Sequence, residues 1–233
     1  MDRWESIHNR HQGETCLVVG NGPSLARVPQ AYLSRYPSFG ANRCYLYNQL
    51  ALGPIEWHPT YYVSVNPLVL SQYLEEVKQE VDAAGYFVAQ GYLAQLGDRE
   101  GYGLRSIYQP VFSRKPWRGI YEGHTVTYVS LQLAHFMGFT TVLLVGVDHR
   151  YQAPDGTAPN QELPGFEEGD PNHFHPSYFG PGSHWHMADL ERSAAAYKLA
   201  RQAFEADGRS IINLGPDSAL DVFESKNMDA VLL

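Results

Sequence analysis

The chain has 233 residues, of which 44% are apolar, and a formal net charge of −8. This length suits one large domain, and the acidic balance disfavours nucleic acid and anionic membrane surfaces as partners, because both require a clustered basic face. No apolar run approaches the ~18 residues of a membrane span, and residues 1–14 are polar without a signal-peptide core. Two cysteines are too few for a disulfide framework, so we expect a cytoplasmic protein.

Strands and helices are predicted to alternate along the chain. The strands are expected at residues 15–20, 38–42, 60–65, 85–88, 140–147 and 210–214, and the helices from Pro67 to about residue 83 and over residues 125–138 and 188–206. The run at 140–147 is almost continuously apolar, as in a strand buried on both faces of a parallel sheet. The alternation predicts an open α/β sheet, mostly parallel, with helices on both faces.

Residues 149–187 carry no clear periodicity and are rich in His, Tyr, Pro and Gly. Unstructured loops of this length are rare in compact domains and are commonly functional or disordered. The aromatic and histidine content favours an ordered lid that covers a functional site.

A glycine-rich turn, Gly20-Asn21-Gly22-Pro23-Ser24, follows the first predicted strand. Glycines allow a close backbone approach, so the turn and Ser24 are candidates for holding a phosphate on backbone N–H groups. Leu25 in the sixth position departs from the dinucleotide fingerprint, and no Gly-Lys-Ser/Thr follows as in a Walker loop. An ordinary strand-to-helix turn remains the alternative.

Two further asparagines lie at predicted strand ends. Asn42 closes the second strand, and Asn66 precedes Pro67 after the third. Because the carboxyl ends of parallel strands meet at one edge of the sheet, Asn21, Asn42 and Asn66 are expected to share a crevice, where amides can pair with a base or a ribose. A turn role for Asn42 and a helix-capping role for Asn66 stay open.

Three other polar residues border these turns. Thr125 opens a predicted helix, where it either caps the helix or meets a phosphate. Arg118 lies just upstream and is either a phosphate or carboxylate ligand or a surface residue. Asp148 follows the most apolar strand and is a candidate for orienting a loop, binding a hydroxyl or acting as a base.

The lid contains two His-x-His pairs, His173 with His175 and His184 with His186. Such pairs suit zinc, but the sequence has no His-Glu-x-x-His motif, and it lacks the Asp-x-Asp of metal-dependent sugar-nucleotide transferases. A neutral histidine is also a natural general base near pH 7, and aromatic packing of the lid is the third hypothesis.

The segments GNGPSL, FGANRCYLY, YYVSVNPL, GHTVTYVSLQLAHFMGF and VLLVGVDHRYQ, with the His-rich lid, resemble two related groups over residues 15–223. One is the bacterial sialyltransferases that use CMP-sialic acid and have a single Rossmann-like, GT-A-variant domain. The other is the family of domains similar to 6-hydroxymethylpterin diphosphokinase. Either resemblance implies one Rossmann-like nucleotide-binding domain over residues 15–233, preceded by a polar segment at 1–14.

The resemblance to the sialyltransferases implies a metal-independent inverting transfer from a CMP-sugar-like donor to a sugar-like acceptor. It implies that Asn21, Asn42, Asn66 and Thr125 bind the nucleotide, with the neighbouring His124 as the alternative to Thr125, and that Tyr151 assists the leaving phosphate. It also implies that a lid histidine is the general base, His186 first and His184 second. Thr157 stands where those enzymes have a second tyrosine, and Tyr178 is a candidate replacement.

The resemblance to the pterin kinases implies instead a Mg²⁺-dependent pyrophosphoryl transfer to a pterin-like hydroxymethyl group. The metal would need carboxylates such as Asp148 with Asp170, or Glu167 with Glu168. A nucleotide- or glycan-binding module without turnover is the third alternative, and a homo-oligomer is compatible with the composition.

Overall fold

The computed structural model describes residues 3–54 and 56–232, and its framework is a parallel sheet of eight strands. The described residues form ten strands, of which eight belong to this sheet. They are β1 Thr15–Val19, β2 Ser38–Ala41, β3 Tyr61–Ser64, β4 Gly85–Ala89, β5 Gly101–Leu104, β6 Thr141–Val145, β7 Glu162–Pro164, β8 His184–His186, β9 Ser210–Asn213 and β10 Glu224–Ser225. The order in the large sheet is β10-β9-β6-β1-β2-β3-β4-β5, and β7 and β8 form a separate antiparallel pair. This single Rossmann-like α/β domain confirms the predicted fold class.

Five α-helices accompany the sheet in the described chain: α1 Gln30–Leu33, α2 Pro67–Glu80, α3 Val126–Phe136, α4 Leu190–Ala206 and α5 Met228–Leu232. Short 3₁₀ helices lie at Pro23–Arg27, Cys44–Leu50, Gln90–Leu96 and Pro116–Arg118. Among the described residues no helix is both long and apolar enough to cross a membrane.

The core has two layers because alternate residues of each strand face opposite sides of the sheet. In β1, Cys16 and Val18 pack in the layer that contains α3 and α4, whereas Leu17 and Val19 pack in the layer that contains α2. Helices therefore cover both faces, as the alternation predicted. The segment before β1 packs on the end of α3, where the Asn9 N–H donates to the Phe136 carbonyl oxygen at 3.2 Å.

Several predicted elements end earlier than expected. The strand expected at 140–147 ends at Val145, because Gly146 takes a left-handed φ of +67° and turns the chain toward Gly20. The helix expected to run to about residue 83 ends at Glu80, where Val81 is already extended.

The expectation that residues 149–187 lack regular structure was wrong in part. Glu162–Pro164 and His184–His186 pair as an antiparallel hairpin-like unit, with Leu163 opposite Trp185. Strands β5 and β10 and helices α1 and α5 also went unpredicted. They have five or fewer residues each, and β5 contains two glycines, so their local signals are weak.

The topology changes direction at β1. From there the chain order runs outward through β2, β3, β4 and β5 on one side and through β6, β9 and β10 on the other. The loops that follow β1 and β6 therefore leave the sheet in opposite directions and open a crevice at its carboxyl edge, which is where open α/β sheets place their ligands.

Candidate functional site

A cleft of about 1070 Å³ opens at the carboxyl edge of the sheet. This volume is at the upper end of the ~300–1,000 Å³ typical of small-molecule sites, so the cleft has room for two substrates. Most of the residues singled out from the sequence line it: Gly20, Asn21, Gly22, Asn42, Asn66, Thr125, Asp148, Tyr151 and His186. Ser24, Arg118 and His184 do not.

The glycine-rich turn is packed tightly against the turn after β6. The Gly22 N–H donates to the Gly146 carbonyl oxygen at 2.8 Å, and the Ser24 N–H donates to Asp148 Oδ2 at 2.8 Å. A Cβ on Gly22 would lie 2.6 Å from the same carboxylate oxygen. Asp148 therefore orients this turn, which is one of the three roles predicted for it. Its other carboxylate oxygen, Oδ1, is buried without a partner. Ser24 is buried behind the turn.

The three asparagines converge, and each also has a local structural partner. Asn21 Nδ2 donates to the Ala41 carbonyl oxygen at 3.1 Å, and its Oδ1 is buried without a partner. Asn42 Oδ1 accepts from Ser64 Oγ at 2.9 Å, and Asn66 Oδ1 caps α2 by accepting from the Leu68 N–H at 2.9 Å. Their expected role in nucleotide binding stays a prediction.

Backbone strain is concentrated at this cleft. Seven non-glycine residues of the described chain have a left-handed φ. Four of them line the cleft: Asn42, His124, His149 and Asn160. A left-handed φ costs free energy in a residue with a Cβ, and such residues cluster at functional sites.

The hairpin-like unit of β7 and β8 carries His186 to the rim of the cleft. Its Nδ1 lies 3.5 Å from Asn66 Nδ2, and its Nε2 lies 3.9 Å from Glu162 Oε2. His184, on the same strand, is exposed, and its backbone N–H donates to Gln72 Oε1 at 2.7 Å. Of the two candidate bases, only His186 faces the cleft.

Tyr151 lies in the first part of the lid and lines the cleft. Its ring stacks on Trp185 at 6.4 Å and meets the edge of His173 at 5.9 Å between centroids. Burial raises the pKa of the Tyr151 hydroxyl above its usual range, so the hydroxyl keeps its proton and can donate a hydrogen bond.

Tyr178 also lines the cleft and stacks flat on His173 at 4.0 Å. Its hydroxyl accepts from the Arg43 N–H at 3.3 Å. The structure therefore places this candidate replacement tyrosine beside Tyr151, whereas Thr157 lies outside the cleft lining.

The structure does not bring the remaining candidates to the cleft. The Arg118 side chain is exposed, and its carbonyl oxygen accepts from Arg105 Nη2 at 2.7 Å. Asp170 is buried inside the lid, where it accepts from His173 Nδ1 at 2.7 Å, and Glu167 and Glu168 are exposed. Within residues 3–54 and 56–232, no three His, Cys, Asp or Glu side chains converge to suit a metal ion, so neither His-x-His pair acquires a third ligand.

A second histidine–carboxylate pair in the cleft was not predicted from the sequence. His124 Nδ1 lies 3.9 Å from Asp189 Oδ2, and Glu122 and Arg192 line the cleft beside this pair. Asp189 had a detectable signal, since an aspartate just before a helical pattern is a good N-cap, and its Oδ1 accepts from the Arg192 N–H at 3.0 Å. The pairing itself joins residues 65 positions apart and has no local signal.

No family model matches the chain, and no curated protein matches it. Among solved structures it is similar to the sialyltransferase CstII from Campylobacter jejuni in complex with a substrate analogue, CMP-3FNeuAc. The TM-score is 0.51 and the identity 16%, over 91% of this chain and 85% of that chain. At this identity the likeness shows a shared fold. Nothing in these comparisons supports the resemblance to the pterin kinases.

Proposed function

We propose that the chain is a nucleotide-dependent transferase, and specifically an inverting glycosyltransferase with a CMP-sugar-like donor and a sugar-like acceptor. The observation that carries the proposal is the convergence of Asn21, Asn42, Asn66 and a lid histidine on one cleft at the β1/β6 switch point. A fold shared with a sialyltransferase whose structure holds a CMP-sugar analogue supports it further.

In this proposal the nucleotide lies against the carboxyl ends of β1, β2 and β3. Asn21 Oδ1 is buried without a partner, so it can accept a hydrogen bond from a base or ribose without giving one up. Asp148 Oδ1 is in the same state and suits a ligand hydroxyl.

His186 takes the proton of the acceptor hydroxyl. Glu162, 3.9 Å from its Nε2, stabilises the imidazolium that forms, in the way a carboxylate supports a catalytic histidine. Tyr151 keeps its proton and donates a hydrogen bond to the departing phosphate. Both groups belong to the lid, and positioning of two bound substrates supplies much of the rate.

The first test is thermal stabilisation by CMP, CDP, UDP, GDP and ATP, each with and without Mg²⁺. A ligand present at 100 times its Kd and bound only to the folded state adds about 2.7 kcal/mol, which is a visible shift. A metal-independent shift with CMP is the expected result. A shift only with ATP and Mg²⁺ would favour pyrophosphoryl transfer instead, and no shift with any nucleotide would overturn the proposal.

The second test separates catalysis from binding without turnover. His186→Gln should keep the CMP-dependent shift and lose transfer from CMP-activated sugars, typically by about 10²–10⁴-fold for a general base. His184→Gln, two residues away on the same strand and outside the cleft, is the matched control and should keep both. A nucleotide-binding module without activity would show CMP binding and no product with any donor.

A further inference from the structure

The pair formed by His124 and Asp189 has no part in the proposed function so far. Both side chains line the cleft, with His124 Nδ1 3.9 Å from Asp189 Oδ2, and they are 21% and 8% exposed. The pair formed by His186 and Glu162 is more open, at 36% and 54%. The pair formed by His124 and Asp189 is therefore the more sheltered of the two, and water screens the interaction between its side chains less.

Asp189 is rigidly held. It caps α4, with Oδ1 accepting from the Arg192 N–H at 3.0 Å, and its Oδ2 accepts from Asn160 Nδ2 at 3.3 Å. Arg192 Nε lies 3.6 Å from the same oxygen. These contacts fix the position of the Asp189 carboxylate beside His124.

His124 is held in a strained turn. Gly123 and His124 have left-handed φ values of +62° and +58°, and a Cβ on Gly123 would lie 2.9 Å from the Ala196 side chain. The next residue, Thr125, has its Oγ1 3.4 Å from the Tyr197 hydroxyl. The strain is sustained by packing on α4, and it aims the imidazole at the cleft rather than at solvent.

The lid segment from His186 to Asp189 separates the two histidines. At one end His186 meets Asn66 after β3, and at the other Asp189 meets His124 before α3. The two histidines thus line the same cleft and contact different elements, His186 the end of β3 and His124 the segment that begins α4.

The charges of the cleft leave a phosphate short of partners. Three carboxylates line it, on Glu122, Asp148 and Asp189, against two permanently cationic side chains, Arg150 and Arg192. Arg150 is exposed, and Arg192 already faces Asp189. Stabilisation of a departing nucleotide phosphate needs positive charge placed in advance.

We propose that His124, supported by Asp189, is the cationic partner of the nucleotide's phosphate and stabilises it as it departs; this inference rests on the proposed function. In the transfer, the acceptor oxygen bonds to the anomeric carbon and its proton passes to His186. The bond from that carbon to the phosphate oxygen breaks, and the electron pair stays on the oxygen. The imidazolium N–H of His124 donates a hydrogen bond to that oxygen and keeps its proton.

The test measures how much of the binding affinity depends on the phosphate. The Kd values of four nucleoside monophosphates, CMP, UMP, GMP and AMP, and of their nucleosides are measured at pH 6.5 and 8.5 on the wild type and His124→Asn. Asparagine tolerates a left-handed φ, so the turn should survive. His149→Asn is the matched control, because His149 has a left-handed φ in the same cleft and makes no ion pair within 4.0 Å among the described residues.

For the monophosphate that binds, His124→Asn should weaken the nucleotide by roughly 10–100-fold at pH 6.5 and leave the nucleoside unchanged, since a charge-assisted hydrogen bond is lost. The difference between wild type and variant should be smaller at pH 8.5 than at pH 6.5, because the proposal requires a charged imidazole. The comparison at each pH removes the titration of the phosphate itself. Asp189, the N-cap of α4, and the ring of Tyr121 lie beside His124, and the charged and polar side chains of Arg192, Asn160 and Glu122 line the same cleft.

Asp189→Asn provides a second measurement that does not change the histidine. Asparagine is also a good N-cap, so α4 should persist, and the pH dependence of phosphate recognition should move to lower pH. An unchanged ratio of nucleotide to nucleoside affinity in His124→Asn would overturn the inference and leave the proposed function standing. Absence of binding by every nucleotide would overturn both.

Discussion

Close packing around the backbone requires a glycine at position 22. The turn after β1 touches the turn after β6, so a Cβ at this position would lie 2.6 Å from Asp148 Oδ2 and would disturb the carboxylate that holds the Ser24 N–H. The glycine is required whether or not a ligand binds. The N–H groups of Gly20, Gly22 and Ser24 already donate within the protein, so the turn does not offer them to a phosphate as the sequence suggested.

We predict that Gly22→Ala lowers the free energy of unfolding by about 1–3 kcal/mol, the usual cost of overpacking. Gly91→Ala is the control, because a Cβ there meets nothing within 4 Å, and it should change stability by less than about 0.5 kcal/mol. The measurement is urea denaturation of the two variants. Equal stability of both would contradict the packing described for the β1 turn.

Asn42 combines a left-handed φ of +52° with a side chain facing the cleft, and the two roles can be separated. Asn42→Gly should retain the backbone conformation but weaken CMP binding by about 1–3 kcal/mol, because it removes a polar partner. Asn42→Ala should weaken binding similarly and also lower the free energy of unfolding by about 1 kcal/mol, since alanine is strained there. Isothermal titration and urea denaturation measure the two effects. CMP binding that is unchanged in Asn42→Gly would return Asn42 to the role of a turn residue.

At the residue scale, the sequence was informative where a role follows from a strand end. The three asparagines could be placed in one crevice because parallel strands share their carboxyl edge. The pairing of His124 with Asp189 could not be predicted, since it depends on how α4 packs beside α3. The exclusion of Arg118 depends in the same way on the fold of the preceding loop.

Among the elements, the lid is the one whose position depends most on a single side chain. Arg43 follows Asn42 directly, is 8% exposed and donates through Nη1 to the carbonyl oxygens of Ser177 and Tyr178. Its Nη2 donates to Glu76 Oε2 at 2.9 Å, and its guanidinium lies 4.0 Å from the centre of the Tyr73 ring. Arg43, which is adjacent to a residue predicted to bind the nucleotide, thus fastens the lid to the body of the domain.

Arg43→Lys should loosen the lid, because an ammonium cannot reproduce the planar set of donors. We expect a loss of roughly 2–4 kcal/mol in the free energy of unfolding and faster amide hydrogen exchange across residues 170–180. Arg27→Lys is the control, since Arg27 forms an exposed ion pair with Asp217 at 3.4 Å, and it should change stability by less than about 0.5 kcal/mol. Unaltered exchange in the lid of Arg43→Lys would show that other contacts hold it.

The elements differ in how well their local sequence predicts them. Strand β6 and helices α3 and α4 carry strong periodic signals and were expected within a few residues. The hairpin-like unit of β7 and β8 was not, because each strand has three residues and the pair forms only against the rest of the lid. Its outcome matters for the site, since β8 brings His186 into the lining of the cleft, whereas His184 lies outside that lining.

Over the whole molecule, the reversal of strand order between β1 and β6 makes the site. It brings Asn21 and Asp148, 127 residues apart, to the same cleft, and the alternation of strands and helices was enough to anticipate that meeting. The depth of the cleft depends on the lid, whose fold is stabilised by long-range contacts such as those of Arg43. Sequence patterns therefore predict where the site lies better than they predict which side chains enclose it.

The stability of the whole molecule should depend on pH through a histidine outside the cleft. Burial, reinforced by Arg209, lowers the pKa of His135 from 6.5 to about 4 although Asp207 accepts a hydrogen bond from its Nε2 at 2.7 Å. Between these two values the unfolded chain binds a proton that the folded chain does not, so the free energy of unfolding falls as the pH falls. The full difference corresponds to roughly 3 kcal/mol of stability, present above pH 6.5 and lost by about pH 4.

We therefore predict that His135→Gln flattens the loss of stability between pH 7 and pH 4.5, even where its stability at pH 7 is lower than that of the wild type. The measurement is the urea midpoint at several pH values, with His8→Gln, an exposed histidine stacked on Phe136, as the control. His149 and His175 also have pKa values lowered by burial, so part of the slope should remain in the variant. A slope in His135→Gln as steep as in the wild type would show that His135 is not the group that opposes folding in acid. His149 in the cleft and His175 in the lid, whose pKa values are also lowered by burial, would then have to supply the slope.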